Sequence, residues 1–289
     1  MRLSQLVLYP VKSLTGISVT EATVEERGFR HDRRFMLVEP KRVDGLPIGR
    51  MMTQRQYPNI ALLDVAFGPG ETLQINHRHQ PGSVLTVPLT PAAGGGTVSV
   101  QVWDSAPFEG QLVSPEADAW FSQMLGTVCQ LVYMPDTVTR PVSSGYRVPR
   151  HQSHPPAVSF ADGFPYLVAS AESLNELNRR LAEPVSMSRF RPNLVVSGTA
   201  GPHDEDGWGH FRVGDVSFFG VKPCVRCTMT TIDPETAQKG NEPLRTLATY
   251  RQIDHKILFG QNAVLQPGAG GVVRVGDLVS VIEHLEARL

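Results

Sequence analysis

The sequence predicts a mainly β fold with a few helices, of the α+β class. Short alternating or β-branched runs are numerous, whereas long segments with a 3.6-residue apolar period are few. The chain contains 26 glycines and 23 prolines, and turn residues separate the short runs. This pattern is typical of a β-barrel or sandwich that carries a small number of helices.

Ten segments carry the strand pattern, because each is short, alternating or β-branched, and bounded by turn residues. In chain order the predicted strands cover residues 3–9, 17–24, 34–38, 60–65, 97–103, 131–134, 194–197, 216–219, 228–232 and 278–282.

Two helices are predicted from their capping residues and apolar spacing. Ser114 is the expected N-cap of the first, since a proline and an acidic residue follow it, and Gly126 can close it. The second covers residues 171–181, with Ser170 as N-cap and three leucines on one face. A shorter third helix is predicted after Pro243.

A domain boundary is predicted within residues 105–145, where Gly/Thr/Val-rich strand material gives way to a helix. We expect an N-terminal β-rich region over residues 1–115 and a second domain over residues 116–289. Residues 135–156 are polar, rich in proline and without periodicity. They are predicted to form a long loop, and long loops in compact enzymes often serve function.

Charge and hydropathy narrow the classes of partner. Lys+Arg is 27 and Asp+Glu is 28, which gives a formal net charge of −1 and does not indicate nucleic acid or an anionic membrane as partner. The N-terminal ten residues have neither the long apolar region nor the cleavage site of a signal peptide. No segment approaches the roughly 18 apolar residues that span a bilayer. The expectation is a cytoplasmic protein.

Three cysteines are too few for a disulfide framework. Cys129 lies in an apolar alternating stretch and is predicted to be a buried strand cysteine. Cys224 and Cys227 form a Cys-x-x-Cys pair, which as half of a zinc site would need two more ligands. The histidines that could supply them are His77, His79, His151 and His154.

Three other interpretations of the pair remain open. A thioredoxin-like redox pair should open a helix, whereas the β-branched residues 228–232 predict a strand. A single thiolate from Cys227 could bind a soft metal, with Arg226 favouring the thiolate, provided that a cofactor brings the other ligands. Two buried structural cysteines at the start of a strand are the simplest alternative.

Cationic and acidic side chains stand at several predicted strand ends. Lys12 and Ser13 follow the first strand, Arg34 enters another, and Arg191 stands beside a proline. A lysine and forked arginines at strand ends suit a phosphate-bearing ligand. Asp162 lies in an apolar turn, where a carboxylate is costly unless it is paired or used.

Taken together, these segments resemble the MOSC (molybdenum cofactor sulfurase C-terminal) family, in the branch of the amidoxime-reducing component and its bacterial relatives. The resemblance covers nearly the whole chain. Residues 9–13, 32–38 and 53–56 resemble the N-terminal β-barrel region of the family. Residues 160–166, 189–196, 224–234, 242–251 and 259–262 resemble the MOSC domain, itself expected to be a β-barrel.

The resemblance implies a molybdopterin-type molybdenum cofactor, with Cys227 as the protein ligand to molybdenum and as a catalytic residue. Asp162 is the second expected catalytic residue, for proton delivery. The residues expected to contact the phosphate, the pterin or the surroundings of the metal are Lys12, Ser13, Arg34, Arg191, Asn193, Arg226, Thr230 and Asn262. Some relatives have tyrosine at the position of Asn262. The family also carries an association with pyridoxal phosphate binding.

The implied reaction is the two-electron reduction of N-hydroxylated compounds, namely hydroxylamines, amidoximes and N-hydroxylated bases. The four cysteines of a plant-type ferredoxin domain, found in some bacterial relatives, do not occur in this sequence. Electrons are therefore expected from a separate ferredoxin, cytochrome or flavoprotein reductase. Two alternatives are a cofactor carrier or sulfur-transfer protein without reductase activity, and a zinc-stabilised β-barrel interaction protein.

Overall fold

The computed structural model describes residues 1–143 and 155–285. Strands dominate this part of the chain and only three α-helices accompany them, which confirms the predicted mainly β, α+β class. The helices are α1 (Pro115–Leu125), α2 (Ala171–Arg180) and α3 (Leu244–Ala248). The strands are β1 (Arg2–Leu8), β2 (Ile17–Val19), β3 (Glu21–Glu25), β4 (Gly28–Phe29), β5 (Phe35–Val43), β6 (Leu46–Met51), β7 (Leu63–Gly68), β8 (Thr72–His77), β9 (Gln80–Pro88), β10 (Thr97–Gln101), β11 (Phe108–Leu112), β12 (Gln130–Tyr133), β13 (Tyr166–Ser170), β14 (Leu194–Ser197), β15 (Trp208–Val213), β16 (Val216–Val225), β17 (Gln252–Ile253), β18 (Lys256–Leu265), β19 (Gly271–Arg274) and β20 (Val279–His284).

The strands of the described residues form four sheets. The largest has the order β2-β1-β14-β13-β18-β16-β15-β20, with β17 paired to β18. A closed barrel has the order β10-β11-β12-β5-β6, and β19-β3-β4 and β7-β8-β9 form two three-stranded sheets. A core that includes Trp208, Tyr166 and Phe218 packs against the large sheet. A second core, which includes Phe35 and Phe121, lies under α1 and the barrel.

The first strand joins the two halves of the chain. β1 pairs antiparallel with β14, which places Leu6 opposite Leu194, and β14 runs parallel to β13. The N-terminal segment therefore lies inside a sheet that is built mostly of C-terminal strands. As a result, the turn that follows β1 lies next to the segment that enters β14. The division between residues 115 and 116 stays a prediction.

Two of the predicted strands are wrong in part or in full. Residues 60–65 include the end of a 3-10 helix, Pro58–Leu62, before β7 begins. Residues 228–232 contain a 3-10 helix, Thr228–Thr231, where a strand was predicted. The hydroxyl of Thr230 donates to the carbonyl of Cys227 at 3.0 Å, so a local side-chain bond overrides the β propensity of threonine.

The two main helices begin where their capping residues predict. The hydroxyl of Ser114 accepts a hydrogen bond from the backbone amide of Ala117 at 3.2 Å, and Gly126 closes α1 with φ of 66°. Ser170 caps α2 by accepting from the amide of Ser173 at 3.1 Å. The short third helix is also present after Pro243. Capping chemistry therefore predicted these boundaries well.

Cys129 is buried, and it lies immediately before β12 instead of inside it. Burial raises the pKa of its thiol to about 11, so the thiol stays protonated and inert near neutral pH.

None of the helices in the described parts of the chain is long and apolar enough to cross a membrane. In the same residues, no three His, Cys, Asp or Glu side chains gather where they could hold a metal ion. The zinc interpretation therefore gains no support from residues 1–143 and 155–285. His151 and His154, two of the proposed zinc ligands, lie outside the described residues, as does much of the predicted loop.

A buried polar cluster behind α2 makes stability depend on pH. The amide of His203 donates to the hydroxyl of Ser173 at 2.7 Å, and its ring packs against Tyr250 and Phe259. Neither ring nitrogen of His203 has a hydrogen-bond partner among the described residues. Burial, and then the nearby Arg251, lower the pKa of His203 to about 4.

We expect acid to destabilise the protein through His203. Its pKa in the folded protein, about 4, lies below the 6.5 of an unperturbed histidine, so the unfolded chain binds the proton more tightly. The stability present above pH 6.5 is lost as the pH falls towards 4, by up to about 3 kcal/mol. Urea unfolding at pH 7 and pH 4.5 measures this loss. In His203→Asn, which tolerates the left-handed backbone and does not titrate, the loss should be smaller, and an equal loss would contradict the assignment.

Candidate active-site cleft

A cleft lies among the turns that follow β1, β6, β10 and β16 and precede β13 and β14. Its volume is about 150 Å³, and it shares Arg189, Arg191 and Met229 with a neighbouring cavity of about 340 Å³. Together the two lie within the range of small-molecule sites, roughly 300–1,000 Å³. Nine of the ten predicted site residues line the cleft, namely Lys12, Ser13, Asp162, Arg191, Asn193, Arg226, Cys227, Thr230 and Asn262.

The turn after β1 supplies Lys12 and Ser13. The amide of Leu14 donates to the carbonyl of Val11 at 3.2 Å, which closes the turn, and Ser13 has φ of 72°. A serine at positive φ is uncommon and marks a backbone that its surroundings hold in place. The side-chain amide of Gln54 donates to the carbonyl of Ser13 at 2.6 Å. The turn is therefore held both by its own backbone hydrogen bond and by the side chain of Gln54.

Lys12 and Asp162 form an ion pair at the wall of the cleft. The ammonium group of Lys12 donates to the carboxylate of Asp162 and, at 2.7 Å, to the carbonyl of Phe160. Lys12 is only 7% exposed, and this burial lowers its pKa in spite of the carboxylate. The protein around Asp162 opposes its ionisation although 62% of the side chain is exposed, but the Lys12 ammonium outweighs this and holds the pKa of Asp162 well below its usual range.

The low pKa bears on the predicted proton delivery from Asp162. A carboxyl group that stays ionised near neutral pH is a hydrogen-bond acceptor and a poor acid. The geometry therefore favours Asp162 as a group that orients a bound ligand.

Arg33 enters the cleft through a second well-determined turn. Its guanidinium donates at 2.6 Å to the carboxylate of Asp32, which is 2% exposed, and at 2.9 Å to the side-chain oxygen of Asn193. The side-chain amide of Asn193 donates in turn to Asp32 at 3.2 Å and to the carbonyl of Val7 at 3.1 Å. The hydrogen bonds of Asn193 are thus taken by protein, and it acts as a residue that positions Arg33.

Arg191 and Arg33 lie over the same aromatic ring. Their guanidinium carbons are 4.2 and 4.4 Å from the ring centroid of Tyr9. Arg191 has φ of 55° and donates to the carbonyl of Leu14 at 2.6 Å. Burial lowers the pKa of Arg191 to about 10, so the guanidinium remains charged at neutral pH.

The end of β16 presents the two cysteines differently. Cys224 lies within the strand, and its Sγ accepts from the guanidinium of Arg226 at 2.8 Å. Cys227 follows the strand, precedes the 3-10 turn and is exposed. Among the described residues its Sγ has no hydrogen-bond partner. Arg226 was expected to favour the thiolate of Cys227; its guanidinium donates to Cys224, so that effect on Cys227 stays a prediction.

Two further predicted residues have structural contacts at the rim. The amide and hydroxyl of Thr230 both donate to the carbonyl of Cys227, at 3.1 and 3.0 Å, and fix the turn that carries the thiol. Asn262 donates to the carbonyl of Lys222 at 3.3 Å across the β16–β18 pair. Both residues line the cleft, and their hydrogen bonds also fix the backbone around it.

Arg34 is the predicted residue that the structure does not place in the cleft. It is 6% exposed, and its guanidinium donates to the carbonyl of Met134 and, at 2.8 Å, to the carboxylate of Asp136. It also lies 5.2 Å from the ring centroid of Tyr133. The predicted cofactor contact of Arg34 therefore has no support, because its donors are used by the segment that follows β12.

Sequence reasoning missed Arg33, Arg55 and Trp103 in the cleft lining. Arg33 is adjacent to Arg34, and the sequence motif contains both arginines without showing which of them enters the cleft. Arg55 and Trp103 stack, with the guanidinium carbon 4.1 Å from the ring centroid. The positive φ of Trp103, 52°, is a structural signal that no sequence pattern gave.

The cleft carries an excess of positive charge. Six cations line it, and three of them pair with carboxylates: Lys12 with Asp162, Arg33 with Asp32, and Arg189 with Asp233 at 2.7 Å. The remaining three, Arg55, Arg191 and Arg226, pair with no carboxylate among the described residues. This imbalance suits an anionic ligand.

Comparisons with known proteins agree with the geometry. Residues 1–128 match the family described as the MOSC N-terminal beta barrel domain, and residues 155–280 match the MOSC domain. Mitochondrial amidoxime-reducing component 1 of Mus musculus is 33% identical over 293 residues, which cover 96% of this chain and 82% of that protein. The Homo sapiens protein of the same name is 31% identical over 96% of this chain and 82% of its own length.

A second group of relatives is larger than this chain. Molybdenum cofactor sulfurase of Oryza sativa subsp. japonica is 30% identical over 90% of this chain, but this covers only 32% of the sulfurase. Relatives of both groups align with nearly the full length of this chain. The chain therefore belongs to the MOSC family, as a protein in which a MOSC N-terminal β-barrel domain precedes a MOSC domain.

Proposed function

We propose that the protein is a molybdenum-cofactor oxidoreductase that reduces N-hydroxylated compounds, with Cys227 as the molybdenum ligand. The observation that carries the proposal is the exposed, unpartnered thiol of Cys227 in a cleft lined by unpaired guanidinium groups. A thiolate is a soft ligand that suits a metal of high covalency. Relatives named amidoxime-reducing component supply the reaction class.

The donor set of the cleft fits a molybdopterin-type cofactor. Such a cofactor brings a phosphate and its own sulfur ligands, so the protein has to supply one thiolate and several cations. Cys227 would hold the metal, and Lys12, Ser13, Arg33 and Arg191 would hold the phosphate and pterin. Arg226 would add positive charge behind the metal site while it holds Cys224.

When bound, the cofactor supplies the two-electron chemistry that removes the oxygen of an N–OH group. The residues of this chain bind and orient the reactants. Asp162, held ionised by Lys12, is an acceptor for the N–H or O–H group of the substrate. Asn193 keeps Arg33 in place, and Thr230 keeps the Cys227 turn in place. Electrons would come from a separate ferredoxin, cytochrome or flavoprotein reductase.

A cofactor carrier or sulfur-transfer role is the second candidate. The likeness to molybdenum cofactor sulfurase favours it, since 90% of this chain aligns with about a third of that protein's length. An exposed Cys227 would serve either role.

Purified protein from a host that makes the cofactor separates the two functions. The reductase should contain about one molybdenum and one pterin per chain, and it should reduce hydroxylamine or benzamidoxime with an artificial electron donor. Cofactor that exchanges readily into a cofactor-free acceptor, together with an absence of turnover, would reject the reductase and support the carrier. The measurements are elemental analysis, pterin fluorescence after release, and the rate of amine or amidine formation.

A further inference from the structure

A second cavity opens on the outside of the barrel beside the cleft. This side groove has a volume of about 570 Å³ and is lined by residues of β6, of β10 and of the turns that follow them. It shares Thr53, Arg55 and Trp103 with the cleft, which also contains Cys227. The groove therefore adjoins the cleft at these three residues.

Backbone hydrogen bonds hold in place the two turns that carry Trp103 and Arg55, which line both the cleft and the groove. Trp103 lies in a turn where the amide of Ser105 donates to the carbonyl of Val102 at 3.1 Å, and the side-chain amide of Gln101 donates to the carbonyl of Ser105 at 2.7 Å. Arg55 lies in the turn after β6, closed by the amide of Gln56 donating to the carbonyl of Thr53 at 3.0 Å.

Trp103 is exposed and strained. Its side chain is 42% exposed, and its φ of 52° places a bulky residue in the left-handed region. Such strain persists where surrounding contacts determine it, and it clusters at ligand sites. The guanidinium of Arg55 stacks on its ring at 4.1 Å, and the indole helps to lower the pKa of the nearby Asp162. Trp103 thus lines both the cleft and the groove.

The groove selects by charge as well as by shape. Its lining contains the two cations Arg50 and Arg55 and no aspartate or glutamate. The cross-strand neighbour of Arg50 is Glu39, whose carboxylate is held by Lys41 at 2.7 Å. Apolar side chains, among them Ile48, Pro107 and Trp103, cover the rest of the surface together with small polar groups.

We propose that the side groove binds the non-reacting part of the substrate and selects planar aromatic groups that are neutral or carry an anionic substituent. This inference rests on the proposed reductase function, because that function identifies the reacting group of the substrate as N–OH. The flat ring lies along Trp103, and Arg50 and Arg55 attract a carboxylate at the far end. A cationic substituent would meet two guanidinium groups in a lining that contains no carboxylate, since Glu39, across from Arg50, is paired with Lys41.

Binding tests the groove without any turnover. The probes are benzamidoximes with a para carboxylate or a para trimethylammonium group, titrated calorimetrically into the protein with its cofactor. The carboxylate probe should bind about tenfold more tightly, and added salt should reduce the difference. Arg50→Glu should abolish or reverse the preference. Arg42→Glu, a charge reversal at an exposed position of the same barrel, should leave it unchanged. Equal effects of the two reversals would overturn the proposal.

Turnover supplies the second readout and separates this inference from the proposed function. Ser99→Phe fills the groove and should lower kcat/KM for benzamidoxime about tenfold, while hydroxylamine, which is too small to reach the groove, keeps its rate. If the natural protein turns over neither compound, the reductase function is rejected. The calorimetric comparison of the two probes would then test by itself whether the groove binds substrate-like molecules. Turnover of both compounds with no change in Ser99→Phe or Arg50→Glu would reject the groove. Arg50 is exposed, so its variant remains informative if Ser99→Phe fails to fold.

Discussion

Replacement of Cys227 by serine is expected to abolish molybdenum-dependent turnover, whereas Cys224→Ser should reduce it by only about tenfold. The two thiols lie three residues apart but have different surroundings. The Sγ of Cys224 accepts a hydrogen bond from Arg226 at 2.8 Å, while that of Cys227 is free within the described residues and faces the cleft. An alcohol is a poor substitute for a soft thiolate ligand, so the loss at Cys227 should be complete.

The measurement is molybdenum and pterin content together with the rate of hydroxylamine reduction for both variants. Far-UV circular dichroism and the urea midpoint check that each variant is folded. Because Cys227 is exposed, its replacement should leave the free energy of unfolding within about 0.5 kcal/mol of the natural value. Equal loss of metal and turnover in the two variants would show that both thiols act together, which would revive the dithiol interpretations.

The fold was predictable wherever local chemistry determines it. The serine caps of α1 and α2 and the apolar run of β14 were found from sequence, because capping and alternation act within a few residues. Thr228–Thr231 was mistaken for a strand because β-branched residues favour extended structure on average. The threonine hydroxyls made local bonds instead, and no propensity scale anticipates that choice.

The pairing of strands was beyond the sequence. Nothing in the alternating pattern of β1 says that it lies beside β14, about 190 residues away. That pairing brings the Lys12 turn next to Arg191 and Asn193 and so creates the cleft. Motifs could name these residues as candidates, but only the topology shows that they share one space.

Arg33 and Arg34 show most clearly how far a sequence can predict which side chains enter a cleft. Both arginines precede β5, so strand alternation does not decide which of them enters the cleft. Arg33 has φ of 48° and precedes β5, and this turn aims it into the cleft. Arg34 points to the carbonyl of Met134 instead. The sequence contains both residues, but the direction of each depends on a backbone angle that it does not reveal.

Lys12→Met is expected to stabilise the fold while it weakens binding of the anionic cofactor. The ammonium of Lys12 is 7% exposed, and its burial lowers its pKa, which means that the folded protein pays to keep it charged. Methionine has a similar shape and no charge, so it removes that desolvation cost. Asp162 is not left as a buried charge, because its side chain is 62% exposed. Replacing a whole buried ion pair by apolar groups can stabilise a protein by about 1–4 kcal/mol, and we expect a smaller gain here because only Lys12 is replaced.

Urea unfolding of the cofactor-free protein and cofactor retention after dialysis measure the two effects. We expect the unfolding midpoint to rise and retention to fall at least tenfold, since a phosphate would lose a positive partner in the cleft. Lys41→Met is the matched control, because Lys41 is a surface lysine paired with Glu39 and should change neither quantity appreciably. A Lys12 variant that loses stability while it retains the cofactor would mean that the ion pair with Asp162 serves the fold. A residue that lowers the stability of the fold and contributes favourable free energy only when a ligand binds is, in contrast, the physical mark of a functional site.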